Sequence, residues 1–368
     1  MKACNNCVLN ENYLSINFDS NGICNYCNHF KKYEKKISNL SKLNSLFLKR
    51  INLFKGKYDF DCLLGISGGK DSSYVLYQLK EKYNLNVLTY TFDNNFLTDY
   101  AKENISNLVS EMGVEHFFYK PDWDFHKKVY KKMMKLTGIP CKGCSLGAYG
   151  TSFKFAFEKN IPFVFHGRTP SQIFRDFIPK SNDPTIPFID SNIKQYNKEN
   201  QIEILLEVAE RLLSLLGDSK DENTKLTEEI ITNFFPDIYK IIQAEMIPEF
   251  LGYFLYHKYD ENNIKKILEN NLSWKRSKED KIFTHADCYI HDAVEYIRYN
   301  KFGYSIIEPE ISVLIRQGLI SKKEALKRIS KENALISEPK ESLKILCNKL
   351  DLDCVKLKEE ILSSGKNE

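Results

Sequence analysis

The chain has 368 residues, 42% of them apolar, and a formal net charge of +4 at pH 7. That length supports one large core or two modest ones, and so small a charge, with no face dense in Lys and Arg, argues against a nucleic-acid binder held by electrostatics. No apolar stretch follows Met1-Lys2 and no uncharged run approaches membrane-spanning length, so the expected location is cytoplasmic, where ten cysteines point to metal chemistry or packing and not to a disulfide framework.

The first predicted element is built on Cys4-Asn5-Asn6-Cys7 and Cys24-Asn25-Tyr26-Cys27, two C-x2-C pairs separated by 16 residues. This is the spacing of a four-thiolate zinc site, and Asp19-Ser20-Asn21-Gly22 supplies a turn between two short strands. Residues 1–30 are therefore expected to form a zinc ribbon whose ion serves folding, since four thiolates leave no open position. Residues 31–58 are lysine-rich, with Ile37, Leu40, Leu43, Leu46 and Phe47 at helical spacing, and read as a linking helix.

From Phe60 the pattern changes to a short apolar run, Leu63, Leu64 and Ile66, that enters Ser67-Gly68-Gly69-Lys70-Asp71-Ser72-Ser73 and then a helical face at Tyr74, Val75, Leu76 and Leu79. A helix starting straight after a strand directs free N–H groups and its positive dipole end at the loop, and two glycines let an anion approach that backbone. Lys70 adds a charge and the serines add hydroxyls, so the loop suits a polyphosphate. The Walker pattern is excluded, because Asp71 stands where Ser or Thr belongs, and so is GxGxxG, which lacks its last glycine. A second strand, 86–93, ends in Asp93; a helix over 99–112 closes at Gly113; a third strand spans 114–119. Strand and helix alternate, which predicts an α/β domain over 59–200 with a doubly wound parallel sheet whose ligand lies at the carboxyl ends of the strands, near Ser67 and Asp93.

Cys141 and Cys144 form a third C-x2-C with no second pair beside it. A redox dithiol, an incomplete metal site and an incidental pair at a helix start all fit this spacing; Cys288 is the candidate third thiolate for an iron-sulfur cluster with one open iron. A helix over 145–159 leads to a fourth strand, 161–166, from which His166 and Arg168 emerge where a nucleotide would present phosphate. Arg168 suits a bidentate grip on an oxyanion better than His166 does, and Arg175 is placed to reach the same crevice. Residues 183–197 read as a loop or lid. The rest, 201–368, is read as mainly helical, including a helix over 203–216, two short helices broken at Gly318 with Ser321 and Glu324 as a capping box, and an aromatic run, 250–256, assigned to core or interface.

Ser67-Gly68-Gly69-Lys70-Asp71-Ser72 resembles the SGGxDS signature of the PP-loop ATP pyrophosphatases, or adenine nucleotide alpha hydrolases, which implies a PP-loop (HUP-like) fold. With the cysteine pairs, Pro140-Cys141-Lys142-Gly143-Cys144, Asp287-Cys288, Lys301-Phe302-Gly303-Tyr304 and Ile315-Arg316-Gln317-Gly318, the chain resembles the N-acetyl sugar amidotransferases of surface-polysaccharide and flagellar sugar pathways. It departs from them in carrying His166-Gly167-Arg168 and Ser305-Ile306-Ile307-Glu308 on the expected acceptor side. The resemblance implies cleavage of ATP to AMP and pyrophosphate, with Ser67, Gly68, Gly69, Lys70, Asp71 and Ser72 at the nucleotide, Lys70 and Asp71 as catalytic groups, and Mg2+ on the phosphates; from their strand-end positions Arg168 is expected to join the catalytic groups, and Asp93 either touches the nucleotide or starts a turn. An acetamido group of a sugar or sugar nucleotide would become acetamidino. Ammonia is expected from a separate glutaminase, because Met1 is followed by Lys2 and not by a freed cysteine. The alternative is an ATP-dependent sulfurtransferase acting on tRNA or a small molecule, with a [4Fe-4S] cluster on Cys141, Cys144 and Cys288; the modest charge disfavours tRNA.

Overall fold

A computed structural model describes residues 2–174, 199, 201–203, 205–206, 222–275, 287–334 and 336–364. The chain enters through two isolated antiparallel bridges, Ala3 with Asn10 and Phe18 with Cys24, and then runs into α1 (Asn25–Ile37) and α2 (Leu40–Phe54). The linking segment is thus two helices, the first starting inside the second cysteine pair, and Asn39 caps the second by accepting from the amide of Lys42.

The four apolar runs form β1 (Cys62–Gly65), β2 (Val87–Phe92), β3 (His116–Tyr119) and β4 (Phe163–His166). A fifth strand, β5 (Glu249–Gly252), joins them from the stretch read as part of a helical region, so the sheet extends past the boundary drawn at residue 200. The strand order is β3-β2-β1-β4-β5 and every pairing is parallel, with Cys62 opposite Val87, Leu63 opposite Val164 and Phe163 opposite Glu249. Strand order reverses between β1 and β4, which is the switch point where such sheets bind ligands.

Alternation along the strands separates two cores. Cys62, Leu64, Val87, Phe163, Phe165 and Leu251 face one side, against α2, α3 (Lys70–Tyr77), α4 (Asp99–Met112) and the short α7 (Pro170–Phe174). Leu63, Leu88, Tyr90, Val164 and Phe250 face the other, against α5 (Trp123–Thr137), α6 (Cys141–Glu158) and α8 (Glu222–Phe234). The period of two is what a sheet covered on both faces requires. Helix α4 closes at Gly113, φ +55°, as the sequence suggests, and is capped at its start by Thr98. Glu249 of β5 is fully buried and is answered by Arg50 of α2, and burial pushes its carboxyl up to about 7 despite that cation.

After α9 (Ile238–Gln243) and β5 come α10 (Tyr253–Tyr256), α11 (Glu261–Asn271) and α12 (His291–Phe302), then α13 (Ile307–Arg316) and α14 (Lys322–Asn333), the pair broken at Gly318, and last α15 (Lys340–Leu350) and α16 (Cys354–Ser364). Ser321 caps α14 by accepting from the amide of Glu324. Against the reading of all ten cysteines as metal ligands or packing, Cys347 and Cys354 form a disulfide that joins α15 to α16, bringing together two helices separated by a turn of a few residues. The lid read over 183–197, most of the helix read over 203–216, and Arg175 lie outside the described residues. Among the described residues no helix is long and apolar enough to cross a membrane.

Candidate active site

β1 delivers Ser67 and the two glycines to the switch point. Gly68 takes φ +78°, and a Cβ there would stand 2.4 Å from the carbonyl oxygen of Ala101, so only glycine lets the loop lie on the first turn of α4. The Gly68 carbonyl is held by Asn104 Nδ2 and Trp274 Nε1, each at 3.2 Å. Ser72 and Ser73 turn their hydroxyls back onto the Gly69 carbonyl at 3.3 and 2.9 Å, while the Ser67 amide donates to Ser72 Oγ at 3.4 Å. The result is a pinned loop at the start of α3.

Across the switch point the loop after β4 touches this turn directly. A Cβ on Gly167 would stand 2.6 Å from the amide nitrogen of Ser72 and 2.7 Å from its Cα. His166 and Arg168 are thereby fixed beside the Ser67–Ser72 loop. Arg168 donates from a guanidinium nitrogen to the Gln172 carbonyl at 2.8 Å, and its amide donates to His166 Nδ1 at 3.3 Å. Burial and then the Arg168 charge push His166 down to about 3, so it is neutral at physiological pH, and its bonded Nδ1 leaves the ring proton on Nε2. Proton transfer through an imidazolium is not a role this geometry supports.

Lys70 lies 3.2 Å from the Asp71 carboxylate and 3.8 Å from Glu261. Tyr259 donates its hydroxyl to the other Asp71 oxygen at 3.1 Å. Burial pushes the Asp71 carboxyl above its ordinary range, while Lys70 and Tyr259 pull it back. Lys70 and Asp71, both expected at the phosphates, are therefore held as a pair. Asp93 closes the turn after β2, one carboxylate oxygen accepting from the Asn95 amide at 2.8 Å, while Asn94 lines the cleft. Tyr259, Glu261, Trp274 and Asn104 were not singled out from sequence, and nothing local marks them.

Lys70, Asp71, His166, Arg168, Tyr259 and Trp274 line one cleft of ≈ 980 Å³ that also reaches Cys141, Cys144 and Cys288. The volume is at the upper end for small-molecule sites and has room for a nucleotide and a second reactant. Cys141 and Cys144 sit on the first turn of α6, Cys288 bridges to Leu97, and Asn94 Nδ2 approaches Cys144 Sγ at 3.6 Å. Burial pushes the Cys144 thiol up to about 12 and that of Cys288 well above the usual range. Without a cation these are protonated thiols, which weighs against a reactive dithiol.

The four N-terminal cysteines are the group among the described residues whose ligand atoms all lie within 4.8 Å of one another, and all four are buried. Amides of Asn6, Cys7 and Cys24 donate to Cys4 Sγ at 3.4, 3.4 and 3.2 Å, and Asn6 Nδ2 donates to Cys27 Sγ at 3.3 Å. Hydrogen bonds from Cys24 and Cys27 hold the Cys4 and Cys7 thiols below their usual range. A closed set of four sulfurs with donors already turned to them fits one tetrahedral ion, zinc or iron.

Residues 228–367 match the family model described as the LPS biosynthesis protein WbpG-like C-terminal domain. An uncharacterized protein of Methanocaldococcus jannaschii is 23% identical over 316 residues, 86% of this chain and 88% of its own length. Among solved structures, the U34-tRNA thiolase NcsA from Methanococcus maripaludis with its [4Fe-4S] cluster is 14% identical at a TM-score of 0.33, covering 89% of this chain and 88% of its own. An NH3-dependent NAD synthetase from Campylobacter jejuni is 14% identical at 0.29, covering 57% of this chain and 100% of its own. An NMN synthetase from Francisella tularensis is 12% identical at 0.27, covering 55% of this chain and 92% of its own.

Proposed function

We propose that the chain is an ATP-dependent adenylating enzyme of the PP-loop type, acting on an amide or carbonyl oxygen of an N-acetyl sugar or sugar nucleotide. The observation that carries this reading is the Ser67–Ser72 loop pinned at the switch point, with Arg168 set against it by the Gly167 contact. An amide oxygen is a poor leaving group; attack on the α-phosphate of ATP converts it to adenylate, and pyrophosphate departs into the loop. The amides at the start of α3, the Ser67 and Ser72 hydroxyls and Lys70 stabilise the charge that develops there. Arg168 faces the same phosphates from β4. A Mg2+ ion held by Asp71 would neutralise further charge, and Tyr259 keeps that carboxylate oriented.

Displacement of AMP by ammonia then yields an acetamidino group, with ammonia supplied by a separate glutaminase in the cytoplasm. The match of residues 228–367 to a polysaccharide-biosynthesis family supports a sugar acceptor. The deciding experiment is mass spectrometry of products from a panel of acetamido sugars and their nucleotide forms, incubated with ATP, Mg2+ and ammonium. A product in which NH replaces O, appearing with AMP and pyrophosphate, is expected; ATP binding with no pyrophosphate release for any acceptor would overturn the reading.

One observation favours a second reading: Cys141, Cys144 and Cys288 converge on the same cleft. Three thiolates holding a [4Fe-4S] cluster would make sulfide the nucleophile, on a small molecule or tRNA. Anaerobic purification with analysis of iron and acid-labile sulfide separates the two, since labile sulfide lost on Cys288→Ala favours sulfur and its absence favours ammonia.

A further inference from the structure

The four-cysteine centre touches more than its own ribbon. Arg316, the last residue of α13, is buried and donates from Nε to Cys27 Sγ at 3.4 Å and from a terminal nitrogen to Cys7 Sγ at 3.8 Å. Its guanidinium lies over the Tyr26 ring at 5.8 Å. Lys322, at the start of α14, donates to the Cys4 carbonyl at 2.6 Å. Four thiolates around a divalent ion carry excess negative charge, and a buried guanidinium in contact with two of the sulfurs is its natural complement.

The other side of α13 is a wall of the ATP cleft. Glu310, Leu314 and, just past the helix end, Gln317 line it, and the Gln317 Oε1 atom is buried with no partner among the described residues. The same helix packs along α7, whose Gln172 carbonyl holds Arg168. We infer that Arg316 is a positioning residue that couples the occupancy of the four-cysteine centre to the α13 wall of the ATP cleft. The centre then does two things: it folds the ribbon, and it fixes the wall of the cleft that α13 supplies. Such coupling is reciprocal, so disturbing α13 at Arg316 must also weaken metal retention.

The test uses the full chain. Metal content is measured by elemental analysis, and amide hydrogen exchange is followed in segments 62–77, 170–174 and 307–316 for the metal-loaded protein, the chelated protein, Arg316→Met and Arg316→Lys. Removing the metal or the Arg316 charge is expected to speed exchange in 307–316 and 170–174 by about tenfold, the scale of a lost charge-assisted hydrogen bond, with 62–77 unchanged and Arg316→Lys close to wild type. Metal loss in Arg316→Met together with faster exchange in 307–316 supports the coupling. Faster exchange confined to residues 2–30 on chelation overturns it. So does an Arg316→Met protein with wild-type exchange in 307–316, or one in which 62–77 accelerates equally. No substrate enters the measurement, so its failure is separate from failure of the acetamido-sugar assay.

Discussion

Replacing Gly167 by alanine tests whether the loops after β1 and β4 form one site. The new methyl group would meet the Ser72 amide nitrogen at 2.6 Å, the Ser72 Cα at 2.7 Å and the Asp71 carbonyl carbon at 3.0 Å. These are backbone atoms in the first turn of α3, so no side-chain rotation relieves the clash, and one loop must retreat by roughly 1 Å to reach ordinary contact. Overpacking of this kind costs about 1–3 kcal/mol, or a fall in Tm of roughly 1–4 °C for a chain this long. A displacement of that size at the phosphates should cost about 100-fold in pyrophosphate release, far more than the stability loss accounts for. Gly113→Ala is the control: its left-handed φ of +55° costs about 1–2 kcal/mol, nothing lies within 4 Å of the added carbon, and it sits at the end of α4 away from the loop. Thermal melting, ATP calorimetry and pyrophosphate release would be run on both variants. If Gly167→Ala turned over ATP at the wild-type rate, or if Gly113→Ala lost as much activity, the two-loop site would be refuted.

Two further outcomes are expected. Burial pushes the Glu308 carboxyl from its ordinary 4.5 up to about 7, so the native chain binds more protons than the unfolded one across that window and stability falls as pH rises through it. Glu308→Gln should therefore be more stable than wild type at pH 8, by up to about 3 kcal/mol, with the gap closing by pH 5; parallel melting curves would contradict this. Tyr259→Phe removes the hydroxyl donor from Asp71 and should lower Mg2+-dependent pyrophosphate release about tenfold while leaving Tm within a few degrees, and an unchanged rate would remove Tyr259 from the site.

What could be read from sequence was whatever is local. The strand, turn and helix around Ser67–Ser72 combine an apolar run, two glycines and a helical face within a few residues, and the cysteine pairs fix their own spacing, so both arrangements were legible. The Ser321 cap was local too, a side chain bonded to the amide three residues on. β5 was not legible, because Phe250-Leu251-Gly252 runs without a break into the helix at Tyr253 and offers only four residues of strand. The Tyr259 bond to Asp71 joins positions 188 apart and the Arg50 contact with Glu249 joins positions 199 apart, separations over which a single sequence carries no pairing signal. Asp93 closes its own turn, one of the two roles its strand-end position allowed.

The bonds from Arg316 to Cys27 and Cys7, and from Lys322 to Cys4, span 289, 309 and 318 positions. During translation the ribbon therefore leaves the ribosome long before the helix pair it docks on exists, a wait of roughly 15–60 s at ordinary elongation rates. Contacts of such high order close last and slowly. A ribbon that captures its ion on emergence spends that interval as a folded knob with a bare docking face, whereas one without an ion spends it as an open segment rich in thiols, exposed to oxidation and mispairing. Chain made under metal depletion is therefore expected to reach the native state in lower yield than chain made with metal and stripped afterwards.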